Sequence, residues 1–441
     1  MLINQEKIRQ DSGIKVVLKS ECFDMFIQNI DEYFRILKDE FNKTPPKITP
    51  FEALNIISLL AGCKDYFKSL QEWERLTLES LKILRKGIVS GVFNNFSAFL
   101  GMTHVAFVIH NLSLKTPSIM PFWNGVNKAL LDNLNSYLNS ASKEDLMNSG
   151  NFEVIAGLSG PLRYLLDFSE NDEMADMVAK IVDLFIKRSK EKTVAGYKVI
   201  GWHYYTLEVE TSYLPFKAPN GVVNYGVSHG MAGPLVTLSL AYKNGVRRDG
   251  LEEAINSLIS EYMETFYYVN DIVYWPRLIK LEQRVGLEKI DNDASQMSWC
   301  YGSVGILRAL YMAGEFTSNT KLMQFATKEF NKITMMDMSN YLLTQPIVCH
   351  GHSGTAAVVN TMYLSTGTSD FLRKAVEMVE VCTLFSVKQF IEHQNEINKN
   401  ISSRRNAQLH EYLEGYSGIL QSIFSIIKGE PNENERRLLI V

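Results

Sequence analysis

Apolar residues recur along the chain in a spacing that belongs to helices. In "ILQSIFSII", residues 419–427, they occupy positions 419, 420, 423, 424, 426 and 427. The stretch "ILRALYMAG", residues 306–314, repeats the spacing at 306, 307, 310 and 311, and Leu162, Leu165 and Leu166 follow it upstream. Positions i, i+1, i+4 and i+5 share one side of a helix and give it a wide buried face. Further helical stretches such as Asn171–Ser189 lie between these and suit outer partners. Two segments break the helical rule. Thr193–Phe216, rich in β-branched and aromatic residues, reads as strands and places a small β-containing insertion at about residues 190–224. Phe266–Pro276 has Asn270 and Asp271 between apolar runs and reads as a hairpin. "TPPKITP", Thr44–Pro50, sets off an N-terminal helical segment, residues 1–50, within a single domain spanning 1–441, and Asn395–Gln408 reads as an exposed polar loop.

The helical stretches open on a repeated turn with glycines three apart: Gly157–Gly160, Gly230–Gly233, Gly302–Gly305, Gly351–Gly354 and Gly415–Gly418. Two weaker copies are "GMTH" at Gly101–His104 and "GCKD" at Gly62–Asp65. A lone GxxG arises easily by chance, but five intact copies that each open an amphipathic pattern do not. Glycines in a first turn let neighbouring helix ends converge, since no side chain stands between them. Seven helical pairs converging at one end predict a closed α/α toroid; an open solenoid would need polar caps and would not converge.

Composition narrows the picture. The chain has 441 residues, 46% apolar and 21% charged, which is globular, and its formal net charge of −4 gives no reason to expect nucleic acid as a partner. Apolar runs such as Val379–Val387 are shorter than the ~18–20 residues of a membrane span, and the N-terminus lacks a secretory pattern. Five scattered cysteines argue against a disulfide framework and for a reducing, cytoplasmic setting.

Polar chemistry collects at three of the glycine turns: "SHGMAG" carries His229, "SWCYGSVG" carries Cys300 and Tyr301, and "VCHGHSG" carries Cys349 and His350. In a toroid these turns are neighbours in space. Two cysteines and a histidine then make a zinc set with a fourth position left for water or substrate. His229, in the register of His350, is either a ligand or an acid/base, and the acid/base reading is preferred. Cys22, Cys63 and Cys382 read as small core hydrophobes. His104 and His352 read as structural or supporting residues, and His110, His203, His393 and His410 as structural.

At these residues the chain resembles the lanthionine synthetase C-like family of lantibiotic cyclases. The shared marks are the His-Gly, Trp-Cys-Tyr-Gly and Cys-His-Gly turns, in order, over about residues 50–427. The resemblance implies an all-α fold, an α/α toroid of seven inner and seven outer helices with a small β-containing insertion. It implies one zinc ion per chain on Cys300, Cys349 and His350, with His229 and Tyr301 as catalytic candidates. Many relatives have aspartate shortly before the Gly157–Gly160 turn, where this chain offers Glu153 as a further catalytic candidate. Nisin-type relatives also carry arginine just before the Trp-Cys-Tyr-Gly turn, where Gln296 stands here.

The implied reaction adds a peptide cysteine thiol to dehydroalanine or dehydrobutyrine and forms a thioether ring. A free thiol, with a pKa near ~8.5, is mostly protonated at neutral pH, and zinc coordination would ionise it. His229 is the expected acid for the carbon that receives a proton, with Tyr301 or Glu153 orienting it. The implied substrate is a dehydrated lantibiotic precursor peptide, leader plus core. A dehydratase and an export transporter are the implied partners in a membrane-associated complex, placing a monomeric cyclase at the inner membrane face. The β insertion and the loop at 395–408 are candidates for holding the leader. The main alternative is a zinc-holding peptide-binding scaffold with little turnover of its own. A glycosidase would need a pair of catalytic carboxylates at the turns, and none is present.

Overall fold

A computed structural model of the chain describes residues 2–15, 18–141, 146–147, 150–205, 218–290, 293–399 and 409–441. The described residues are mainly helical, with three two-stranded antiparallel ribbons. They form two compact units, Met1–Asn94 with Val105–Asn124 and Leu343–Glu433, and Asn95–His104 with Gly125–Leu342 and Asn434–Val441.

In the first unit the helix Pro50–Cys63 starts at a capping box. The Thr49 side chain accepts from the Glu52 amide, and the Glu52 carboxylate accepts from the Thr49 amide. This helix packs on Tyr416–Lys428, which packs in turn on His352–Thr366. Leu70–Val89 backs the first of these helices and Ser369–Thr383 the last. The second unit repeats the plan. Ser159–Leu166, Ala232–Lys243 and Ser303–Phe316 pack in sequence, backed by Asp172–Ser189, Leu251–Thr265 and Thr320–Thr334. The two layers differ as their sequences require. Ala232–Ala241 is buried at every position, the signature of a helix enclosed on all sides, whereas Asp172–Ser189 buries the stripe Met174, Met177, Val178, Ile181, Val182 and Phe185.

The glycine turns open these helices as expected at Gly101, Gly157, Gly230, Gly302, Gly351 and Gly415. "GCKD" does not: Gly62 lies near the end of Pro50–Cys63, and the helix is started by Thr49 and Pro50. Small residues at both ends of four positions do not distinguish the start of a helix from its finish. Elsewhere the second glycine is a notch for the preceding turn. A methyl group on Gly305 would stand 2.9 Å from Val227 Cγ2, and one on Gly233 would stand 3.0 Å from Val154 Cγ2. Gly418 receives Val348 in the same way. Main-chain bonds stitch successive turns: the Val154 amide donates to the Ser228 carbonyl at 3.1 Å, and the Val227 amide to the Cys300 carbonyl at 2.9 Å.

The expected strand regions form two local hairpins. Lys192–Val194 pairs with Tyr197–Val199, and Tyr267–Val269 with Ile272–Tyr274. Asn270 and Asp271 take positive φ angles of 50° and 64° at the second turn, as a tight hairpin demands. A third pairing joins distant segments, Val222–Asn224 with Leu278–Lys280. Residues 206–217 of the expected insertion and 400–408 of the expected loop lie outside the described residues; positions 395–399 of that loop are the end of the helix Val387–Lys399. The last residues support a glycine turn from behind: Trp299 Nε1 donates to the Leu438 carbonyl at 2.8 Å and Arg308 Nε to the Ile440 carbonyl at 2.7 Å. No described helix is long and apolar enough to cross a membrane.

Candidate functional site

Glu153 precedes the first intact glycine turn and is almost fully buried. Its carboxylate is held by the backbone that follows it: Oε2 accepts from the Ile155 amide at 3.0 Å, and Oε1 from the amides of Gly157, at 2.6 Å, and Ala156. Three amide donors satisfy the charge that burial would otherwise penalise. Oε2 also meets His229 Nδ1 at 2.7 Å. An ionised carboxylate only accepts, so Nδ1–H donates to Glu153. The His229 side chain is 51% exposed and that of Glu153 9%. The longer glutamate side chain therefore reaches both its amide nest and the histidine.

Cys300 is buried in the turn before Ser303–Phe316, with Ser298 Oγ 3.5 Å from its sulfur. Gly302, at φ +115°, lets this turn close against the Gln296 backbone carbonyl, a conformation that favours glycine. Tyr301 points towards the His229 turn. A methyl on Gly226 would stand 2.5 Å from its ring, and the Tyr301 hydroxyl oxygen accepts from Asn224 Nδ2 at 3.0 Å. Burial pushes the Tyr301 phenol up to about 12, so it stays protonated at neutral pH and can donate. The Arg277 guanidinium lies over its ring, 4.7 Å from the centroid.

Cys349 and His350 sit in the turn before His352–Thr366, where the Cys349 amide donates to the Leu413 carbonyl at 2.9 Å. The sulfurs of Cys300 and Cys349 and a ring nitrogen of His350 lie within 4.8 Å of one another. Two thiolates and an imidazole are the soft donors zinc prefers.

The other candidates from the sequence separate from these. His352 Nδ1–H donates to the Gln345 carbonyl at 3.0 Å, and His104 Nδ1–H to the Phe99 carbonyl at 2.9 Å. Burial depresses both imidazoles below the usual histidine range, His104 furthest. Cys22, Cys63 and Cys382 are buried, and burial pushes the Cys63 thiol up to about 12. Sequence reasoning missed Asn224 and Arg277. No local motif marks them, because the ribbon Val222–Asn224 with Leu278–Lys280 delivers them together, Asn224 opposite Leu278 and Arg277 one residue earlier.

Glycine-opened helices in two layers, with cysteine and histidine at their turns, define a class of α/α-toroid protein. The chain belongs to the lanthionine synthetase C-like family, whose model matches residues 53–439. The nisin biosynthesis protein NisC of Lactococcus lactis subsp. lactis is 24% identical over 311 residues, 66% of this chain and 66% of its own length. A solved structure of nisin cyclase superposes with a TM-score of 0.73 at 18% identity, covering 93% of this chain and 97% of that one. The fold is the expected α/α toroid with small β-strands.

Proposed function

We propose that the protein is a lanthipeptide cyclase. It adds cysteine thiols of a dehydrated precursor peptide to dehydroalanine or dehydrobutyrine and forms lanthionine and methyllanthionine rings. Family membership supports the class, and the observation that carries the reading is the donor set Cys300, Cys349 and His350. One zinc ion held there would acidify a substrate thiol, whose ordinary pKa near ~8.5 leaves it mostly protonated.

The chain's own residues supply the proton chemistry. Carbon–sulfur bond formation at Cβ breaks the C=C π bond and moves its electron pair onto Cα and the neighbouring carbonyl oxygen. His229 gives the proton to Cα, and Glu153 orients the ring and stabilises its charged form, a reading that its 2.7 Å bond to Nδ1 supports. The Tyr301 phenol donates a hydrogen bond near the reacting atoms. The thiol loses one proton and Cα gains one, so the product is an isomer of the substrate. By the same reading the protein works as a monomer in the cytoplasm, receives its peptide from a dehydratase and passes it to an exporter.

Because mass does not change, the test counts thiols. Purified protein is incubated with a dehydrated, leader-bearing precursor, and remaining cysteines are alkylated and weighed. Loss of alkylatable thiols, abolished by chelation and restored by zinc, is expected. Thiols that stay reactive while zinc is bound would leave the scaffold reading in its place.

A further inference from the structure

Arg277 stands at the end of the ribbon that also carries Asn224, and its side chain is exposed. Its guanidinium carbon lies 4.7 Å from the Tyr301 ring centroid, close enough for a cation–π contact. Its backbone is fixed, since its carbonyl accepts from the Tyr225 amide at 3.1 Å. The guanidinium has no hydrogen-bond or ion-pair partner among the described residues. A cation–π contact takes up no hydrogen-bond acceptor, so the guanidinium's N–H donors keep their capacity for a bound oxygen. The Glu153 carboxylate already has three amide donors and His229. An unclaimed cation on a fixed backbone position therefore lies against the aromatic ring whose backbone neighbour is Cys300.

The reaction proposed above creates a matching need. As the C–S bond forms, negative charge develops on the carbonyl oxygen next to Cα, and the residues assigned so far offer that charge only the neutral Tyr301 phenol and no cation. We propose that Arg277 is a catalytic residue that binds the carbonyl oxygen of the dehydroamino acid and stabilises the enolate charge until Cα is protonated. The proposal rests on the cyclase reading. It sets the polarity of the bound acceptor, carbonyl towards the ribbon and Cβ towards the thiol. Tyr301 braces the guanidinium, and the ribbon explains why Asn224 and Arg277 arrive together.

The test uses the full chain and a leader-bearing peptide with one cysteine and one dehydroalanine. Arg277→Met keeps an apolar contact on the Tyr301 ring and removes the donors. It is expected to lower kcat by ~10²–10³-fold, the usual range for loss of an oxyanion donor, with zinc content and melting temperature unchanged. Arg277→Lys, which keeps charge but loses the planar fork, is expected to fall between. Added guanidinium ion is expected to restore part of the rate to Arg277→Ala and to leave wild type unaffected. A wild type that closes rings while Arg277→Met keeps full kcat overturns this proposal alone. A zinc-loaded wild type that closes none overturns the cyclase reading and this proposal with it.

Discussion

His229 and His410 each meet a glutamate oxygen at 2.7 Å, from Glu153 and Glu40 respectively, but the burial of the two pairs is reversed. His229 is 51% exposed and its glutamate 9%; His410 is 2% exposed and its glutamate 27%. His410 has both nitrogens engaged, with Nδ1 bonded to the fully buried Tyr33 hydroxyl at 2.7 Å, so its ring is a strut between the helix Ser20–Phe41 and the turn before Tyr416–Lys428. In the first pair the carboxylate is the fixed element and the imidazole faces outwards. One contact distance thus serves two ends, and burial decides which.

The strongest challenge to this contrast lies at the metal donors. Cys300→Ala or Cys349→Ala is expected to lose bound zinc and ring closure while far-UV circular dichroism stays helical; elemental analysis decides it. Next comes the histidine pair itself. His229→Ala is expected to keep zinc and slow turnover by ~10²–10⁴-fold. His410→Ala should leave turnover alone and cost roughly 1–3 kcal/mol in urea unfolding, because it strips a buried hydroxyl of its partner. Zinc lost with His229→Ala, or a rate lost with His410→Ala at full folding, would reverse the assignment. Glu153→Gln keeps the shape but, with its one remaining oxygen on the Ala156 and Gly157 amides, presents an NH2 donor rather than an acceptor to Nδ1–H. A drop of roughly 10–100-fold is expected, as when a carboxylate orienting a metal-site histidine is lost, measured by thiol alkylation.

The smallest effect concerns a histidine outside the proposed proton chemistry. Burial pushes His203 down to about 4, from the ordinary ~6.5 it regains on unfolding. Below pH ~6.5 the unfolded chain takes up that proton and the folded chain does not, so stability falls as pH drops towards 4. His104 and His352, shifted the same way, add to the slope. His203→Gln should flatten the acid limb by up to about one proton in denaturation midpoints measured across pH 4–7.

Local sterics made most of the fold readable in the sequence. Glycines three apart followed by a helical apolar period mark inner helices because close approach at the first turn excludes any side chain. The same signal failed at Gly62, where the helix begins by capping chemistry at Thr49. The thiols and imidazoles of the candidate site were legible because each stands in register with a glycine turn. Glu153 was visible only through the family resemblance, which places an acidic residue before such a turn, and its amide nest was not visible, since a carboxylate turning back onto its own backbone leaves no mark in residue type. Asn224 and Arg277 were out of reach for a different reason: a strand pairing between segments far apart in the chain brings them together.

The glycine notches also constrain how this protein can change. Val227 fills the gap at Gly305, Val154 the gap at Gly233 and Val348 the gap at Gly418. Each turn is a gear tooth cut to its neighbour, so enlarging a valine, or giving the facing glycine a side chain, jams the next turn. Variation is therefore permitted in correlated pairs, and a library that randomises one turn alone should yield mostly insoluble chains. One that couples each valine position to the following glycine samples the shapes these helix ends can adopt.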